Sequence, residues 1–199
     1  MAVDGYMWFK DYNNAYLKSE SQVDTKANGG NNEPLFDRFF KATASAGTPD
    51  DPTLFEIEDF SFDIEQTLNI GSQSTGAGAG KVTFNPFSIT RKIDRSSPIL
   101  FKLACSGTPF QEVALGLRKS SGGTVSGRIY LVFRFKLVAV KTISWSYDDE
   151  SPKETVTFEY GGLQVHYSQQ QPNGDMAPAL AGGWNRVKNV RDTENDLIK

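Results

Sequence analysis

Residues 128–147, RIYLVFRFKLVAVKTISWSY, decide the fold. Ile129, Leu131, Phe133, Phe135, Leu137 and Ala139 recur at a period of two, and Ile143, Trp145 and Tyr147 continue the pattern after an interruption at Lys141. That alternation predicts a half-buried strand. Twenty residues at about 3.3 Å each overshoot an ordinary strand, so the segment is expected to bend near Ala139 to Thr142. Thr155 to Tyr167 carries the partner signal: Val156, Phe158 and Tyr160 hold one phase, Gly161-Gly162 intervenes, and Leu163, Val165 and Tyr167 hold the other. A glycine bulge explains such a flip. Shorter strands are expected at Val3 to Lys10, Phe55 to Gln66 and Phe110 to Lys119, the last with Val113, Leu115 and Leu117 on one side. Curved, bulged antiparallel strands imply a mainly β fold, a closed or two-sheet β-barrel with one flanking short α-helix.

That helix lies in the tract Gly76 to Gly107, GAGAGKVTFNPFSITRKIDRSSPILFKLACSG. Alternating glycines make a loop, and a strand follows in which Val82 and Phe84 share one phase. Asn85-Pro86 breaks that phase before Phe87 and Ile89 resume, as in one bulged strand. Ser97 reads as the helix N-cap and Pro98 as its first residue, with Ile99, Leu100 and Leu103 as the apolar face and Gly107 as a left-handed C-cap. Cys105 is expected to be buried on this helix. From Gln22 to Pro52 the chain reads as a long loop holding one amphipathic island, Pro34 to Ala42, whose Leu35, Phe36, Phe39 and Phe40 would dock on the barrel. Beyond Gln169 the tail is polar, apart from Gly182 to Val190, where Trp184 reads as an anchor.

Composition narrows the function. The chain has 199 residues, 38% of them hydrophobic and 12% aromatic, enough to fill the core of one domain. A net charge of −3 with scattered Lys and Arg argues against nucleic acid and anionic membranes as partners. One cysteine allows no internal disulfide, which suits a reducing compartment. The start, MAVDGYMWFKDY, does not read as a secretory signal, and no segment reads as a membrane span.

Catalytic readings fail on pattern. GAGAGK has Thr75 and Val82 where a phosphate loop needs glycine and a hydroxyl residue, and a strand, not a helix, follows. His166 is the only histidine and shares a polar strand phase with Gln164 and Ser168, which reads as exposed; a hydrolase would need it as base with Asp148 or Glu159 as orienter. Asp148, Asp149 and Glu150 lack the spacing of a calcium loop, and one histidine with one cysteine argues against zinc. No catalytic, cofactor or metal residue is assigned. Tyr6, Trp8, Phe60, Phe62, Trp145 and Trp184 exceed one obvious core, and long curved strands leave edges. Head-to-tail rings of identical subunits would satisfy both.

Four segments carry a resemblance: MAVDGYMWFK; the Gly loop with AGKV, then KIDRSSP and LFKLACSG; YLVFRFKLVAV with ETVTFEYGGLQVHY; and GGWNRVKNV. Together the chain resembles the Hcp family, haemolysin-coregulated tube proteins of bacterial type VI secretion systems. The departure is at residues 22–54, longer than the family usually has. The resemblance implies one barrel domain over 1–199, with an insertion at about 22–54 and a partly extended tail at about 170–199. It implies hexameric rings that stack into the inner tube of a contractile injector. Partners would be further copies of the chain, secreted effectors in the lumen, a VgrG-type spike and a contractile sheath. The protein would reside in the bacterial cytoplasm before firing and leave by the type VI route without a signal peptide. No reaction is implied. By the same resemblance, Gly71, Gly76, Gly78, Gly80 and Lys81 form the inter-ring stacking loop and Ser61 faces cargo. Asp94, Ser96, Ser97 and Pro98 start the helix, and Gly183, Trp184 and Asn185 anchor the tail. A specialised paralogue whose insertion binds an effector or regulator through Phe36, Phe39 and Phe40 is the alternative, followed by a small-ligand or hydrolytic barrel.

Overall fold

A computed structural model of the chain describes residues 3–23, 33–46, 51–69, 78–119, 127–147 and 151–192. The hairpin β8 (Arg128–Tyr147) and β9 (Pro152–Tyr167) is its spine, paired from Leu131↔Tyr167 to Tyr147↔Pro152. On one side of β8 lie β7 (Phe110–Lys119), then β1 (Val3–Lys10) and β2 (Phe55–Ile57). Strand β9 divides its outer edge between two neighbours: its first half pairs with β6 (Phe87–Lys92) and its second with β10 (Leu180–Asn185). The short β3 (Asp59–Ser61) pairs with β6, and β11 (Val190–Arg191) with β10. A separate two-stranded sheet is formed by β4 (Ile64–Asn69) and β5 (Gly78–Phe84). Strands β2 and β3 pair with different neighbours and meet through Glu58, so the barrel wall is joined there by the chain and not by a ladder.

Two sheets and a mainly β content agree with the expected fold. Strands β1 and β7 have the expected limits. The expected strand over Phe55 to Gln66 is broken into β2, β3 and β4. The supposed single bulged strand around Asn85-Pro86 is two strands in two sheets: proline removes a ladder donor, and the chain leaves β5 for β6 at that point. In β8 the register shifts between Val140 and Thr142, inside the expected bend. A second irregularity precedes it. Leu137 has φ 50 and turns outward to 40% exposure, so Val138 and Val140 face the core in place of Leu137 and Ala139.

The barrel interior is aromatic. Phe87 stacks on Phe135 with ring centroids 4.0 Å apart and on Phe158 at 4.8 Å, with Phe9, Phe55 and Phe110 behind. These rings are buried, and offset stacks of this kind add to their area burial. A second apolar cluster lies on the opposite face of β1, β7 and β8. It is covered by α1 (Pro34–Phe39) and α2 (Lys41–Ala46), two helices where a loop with one island was expected. Leu35, Phe36, Phe39 and Phe40 all dock, as their spacing required.

Helix α3 (Ser97–Ser106) packs beside β8. Its N-cap is Ser96, one residue before the expected Ser97, and Pro98 sits in the first turn. Gly107 closes it at φ 67, with its N–H donating to Leu103 O. Two burial expectations fail here: Cys105 is exposed, and Ile99 is 42% exposed, because only the Leu100 side of this helix meets the barrel.

Candidate functional site

The four strands β3, β6, β9 and β8 present a face opposite the aromatic core. Registered pairs place Ser61 beside Ser88, Ser88 beside Thr157, and Thr157 beside Thr142. The next row runs Asp59, Thr90, Thr155, Ser144. Directly opposed residues share a face, so this is a grid of small oxygen-bearing side chains. Ser88 Oγ and Thr157 Oγ1 are 2.8 Å apart, and Thr90 Oγ1 and Thr155 Oγ1 are 3.2 Å apart. Such hydroxyls satisfy one another and leave no large apolar group; the first row, from Ser61 to Thr142, carries no charge, and Asp59 stands at the end of the second. Ser61 is exposed at the end of the first row. Beyond Val138, β8 pairs only with β9 among the described residues, so one side of this four-stranded face is a strand edge.

The helix start is organised by a residue outside the sequence-read set. Arg91 is 2% exposed and lies on the inward phase of β6 with Phe87 and Ile89. Its Nε donates to Glu154 Oε1 at 2.7 Å; its Nη2 donates to Asp94 Oδ1 at 3.0 Å, Ser96 Oγ at 2.6 Å and Ser97 Oγ at 3.2 Å. The guanidinium also lies 5.0 Å from the Phe55 ring centroid. Neither serine caps the helix through its side chain; Asp94, Ser96 and Ser97 instead wrap a buried cation at the barrel mouth. The signal was present in the sequence: an arginine on an apolar strand phase requires a buried carboxylate, and Glu154 stands two residues before Val156.

The remaining expected residues fall at the other end. Gly71 and Gly76 lie outside the described residues, while Gly78, Gly80 and Lys81 belong to β5. Trp184 pairs with Leu163 and packs on the core, and Asn185 Oδ1 accepts from Lys188 N at 2.9 Å. At Gly183 a Cβ would meet Gln164 Cγ at 2.9 Å, and its carbonyl accepts from Asp192 N. Between the β4–β5 ribbon and β9–β10 runs a groove of about 730 Å³ lined by Val82, Phe84, Leu163, Val165 and Trp184.

His166 is the clearest correction. It is 0% exposed, because α1 covers its strand face: the Phe39 ring lies 4.7 Å from the imidazole. Around it runs a buried polar seam. Glu112 accepts from Arg134 Nε and Nη2, at 2.5 and 2.9 Å, and from Lys136 Nζ at 2.9 Å. Arg134 Nη1 donates to Gln164 Oε1 at 3.2 Å, and Gln164 Nε2 donates to Asp192 Oδ2 at 2.9 Å. Burial pushes the Glu112 pKa up, but the two cations outweigh it and hold the carboxyl below its usual range. The orienters of a hydrolytic His166 are not beside it: Glu159 bonds Lys141 and Arg186 on an exposed face, and Asp148 is outside the described residues. The described residues contain no group of three potential metal ligands, and none of their helices is long and apolar enough to cross a membrane.

Solved structures share this architecture. A type six secretion system protein superposes with TM-score 0.71 at 19% identity, covering 96% of this chain and all of the other. Hcp1 from Salmonella typhimurium gives 0.65 at 20% identity, covering 96% of this chain and 100% of its own. The fold is therefore of the Hcp type. Residues 47–167, more than half the chain, match the family described as type VI secretion system effector, Hcp. Protein hcp1 of Pseudomonas aeruginosa is 32% identical over 115 residues, which span 56% of this chain and 69% of that protein. The chain belongs to the Hcp family of type VI secretion system proteins.

Proposed function

We propose that the protein is a non-enzymatic tube subunit: a single barrel domain that closes head-to-tail hexameric rings, which stack and carry effectors through their lumen. The observation that carries this is the neutral hydroxyl grid from Ser61 to Thr142, a wall suited to passing cargo without gripping it. Desolvated charges or large apolar groups would hold a passing protein; hydroxyls already bonded to one another do not. The β8 edge beyond Val138, which has α3 beside it and no ladder partner on that side among the described residues, supports association, since unpaired strand groups call for a neighbour. On this reading Ser61 contacts cargo, and Gly71 and Gly76, together with Gly78, Gly80 and Lys81 at the start of β5, contact the next ring. Asp94, Ser96, Ser97 and Pro98 set the helix, and Gly183, Trp184 and Asn185 anchor the tail. The spike and sheath are the further partners, and the protein waits in the bacterial cytoplasm before export.

Docking the Gly-rich loop costs roughly 1–2 kcal/mol of conformational entropy per residue, so rings should outlast stacks in solution. Light scattering and negative-stain microscopy test the reading. Rings of six are expected; a strict monomer at high concentration would overturn it. The paralogue alternative loses its proposed contact, because Phe36, Phe39 and Phe40 are buried against this chain's own sheet.

A further inference from the structure

We propose that Glu33 is a proton-operated tie that fastens the α1–α2 insertion to the barrel, holding it firmly when protonated and loosely when ionised. Glu33 occupies the N-cap position of α1, yet its side chain does not cap that helix. It reaches the barrel instead: Oε1 accepts from the Ile129 amide of β8 at 2.8 Å, across 96 positions of sequence. The residue is 2% exposed. Its other oxygen, Oε2, is buried without a hydrogen-bond partner, as are Arg118 Nε on β7 and Arg128 Nη1 on β8. A carboxylate half-satisfied in this way is costly to keep charged, whereas the neutral acid loses little.

The charges facing it come from three elements. Arg128 and Arg118 favour the ionised form, and Asp37 on the first turn of α1 opposes it. Arg118 is itself engaged, donating to Asp4 Oδ2 at 3.1 Å and to the Tyr6 hydroxyl at 2.5 Å. Burial is the largest influence and raises the Glu33 pKa above its usual value. The sign follows. The docked insertion binds a proton that the undocked insertion releases, so the stabilisation is complete below the ordinary carboxyl pKa and is lost as pH rises through the docked value. The seam beneath Phe39 answers differently, since Glu112 is held ionised by two cations. Undocking would uncover Tyr6, Trp8, Phe36, Phe39 and Phe40 together.

Hydrogen exchange on the full chain tests this, comparing amides of residues 33–46 with those of β8 and β9 after correction for intrinsic rates. Between about pH 5 and about pH 8, protection of the insertion should fall by up to about tenfold per pH unit within the titration window, while the strands stay protected. Glu33→Gln should hold the insertion docked and flatten the profile. Arg128→Gln should move the transition to higher pH, because it removes a charge that favours ionisation. A second reading comes from Trp8, whose Nε1 donates to Phe39 O at 2.7 Å, followed by fluorescence with Trp145 and Trp184 replaced by Phe. A flat wild-type profile, an unchanged slope in Glu33→Gln, or a transition moved to lower pH in Arg128→Gln would each overturn the proposal.

Discussion

Where β7, β8 and β9 run side by side, both faces of the sheet are buried, by opposite means. The inner face is sealed by the curvature of the sheet itself, so its contents are almost wholly aromatic and aliphatic. The outer face is sealed by two short helices that lie between β1 and β2 in the chain, and it keeps ionic and amide groups beneath them. A core closed by strands can gather its polar groups in one place, as Arg91 and Glu154 are gathered here. A core closed by a small lid must satisfy the polar groups that the sheet exposes around the lid, and the Glu112 seam does this.

Substitutions can break the contrast, the deepest first. Phe135 is fully buried and stacks on Phe87, so Phe135→Ala should cost about 3–5 kcal/mol and unfold the whole barrel in one transition by chemical denaturation. Removing the anion of the outer seam in Glu112→Gln strands Arg134 and Lys136 together. Its cost should approach about 3 kcal/mol at neutral pH. Because the Glu112 pKa is lowered, wild-type stability from this group is present above the ordinary carboxyl range and lost as pH falls through the native value; denaturation curves of the variant should lack that acid-side loss. Smaller again is Gly116→Ala. A Cβ there would lie 2.4 Å from Phe40 Cζ, so the ring must move, at about 1–3 kcal/mol; exchange should rise in 33–46 while β9 remains protected. If β9 loosens equally, the two faces are one cooperative unit and the contrast fails. Ser61→Ala lies on neither buried face and should change stability by less than about 0.5 kcal/mol, so any loss of cargo retention would belong to the surface itself.

The inner face was legible because its signal is local. Val113, Leu115 and Leu117, or Val156, Phe158 and Tyr160, announce it by alternation within one strand, and the limits of β1 and β7 follow. The helix pattern of Leu35, Phe36, Phe39 and Phe40 was equally local. What covers what was not. Gln164 and His166 look like a solvent face until a segment more than a hundred residues earlier is laid over them. Leu137 gives no compositional sign of its positive φ, because leucine is not a residue that favours it. Asn85-Pro86 marked an interruption, but a bulge and a change of sheet carry the same proline. Arg91 is readable in principle: an inward arginine needs buried partners, and Ser97, which reads as a cap, serves it together with Ser96.

Strand β9 gives its first half to β6 and its second half to β10, while β8 runs along its whole length. A pull along the hairpin axis therefore meets cross-strand bonds lying perpendicular to the force, and many must rupture together instead of opening one by one as in a zipper. Resistance of that kind is set by the rate of forced rupture and not by equilibrium stability. A protein built on such a spine can be modest in a melting experiment and still withstand abrupt mechanical loading.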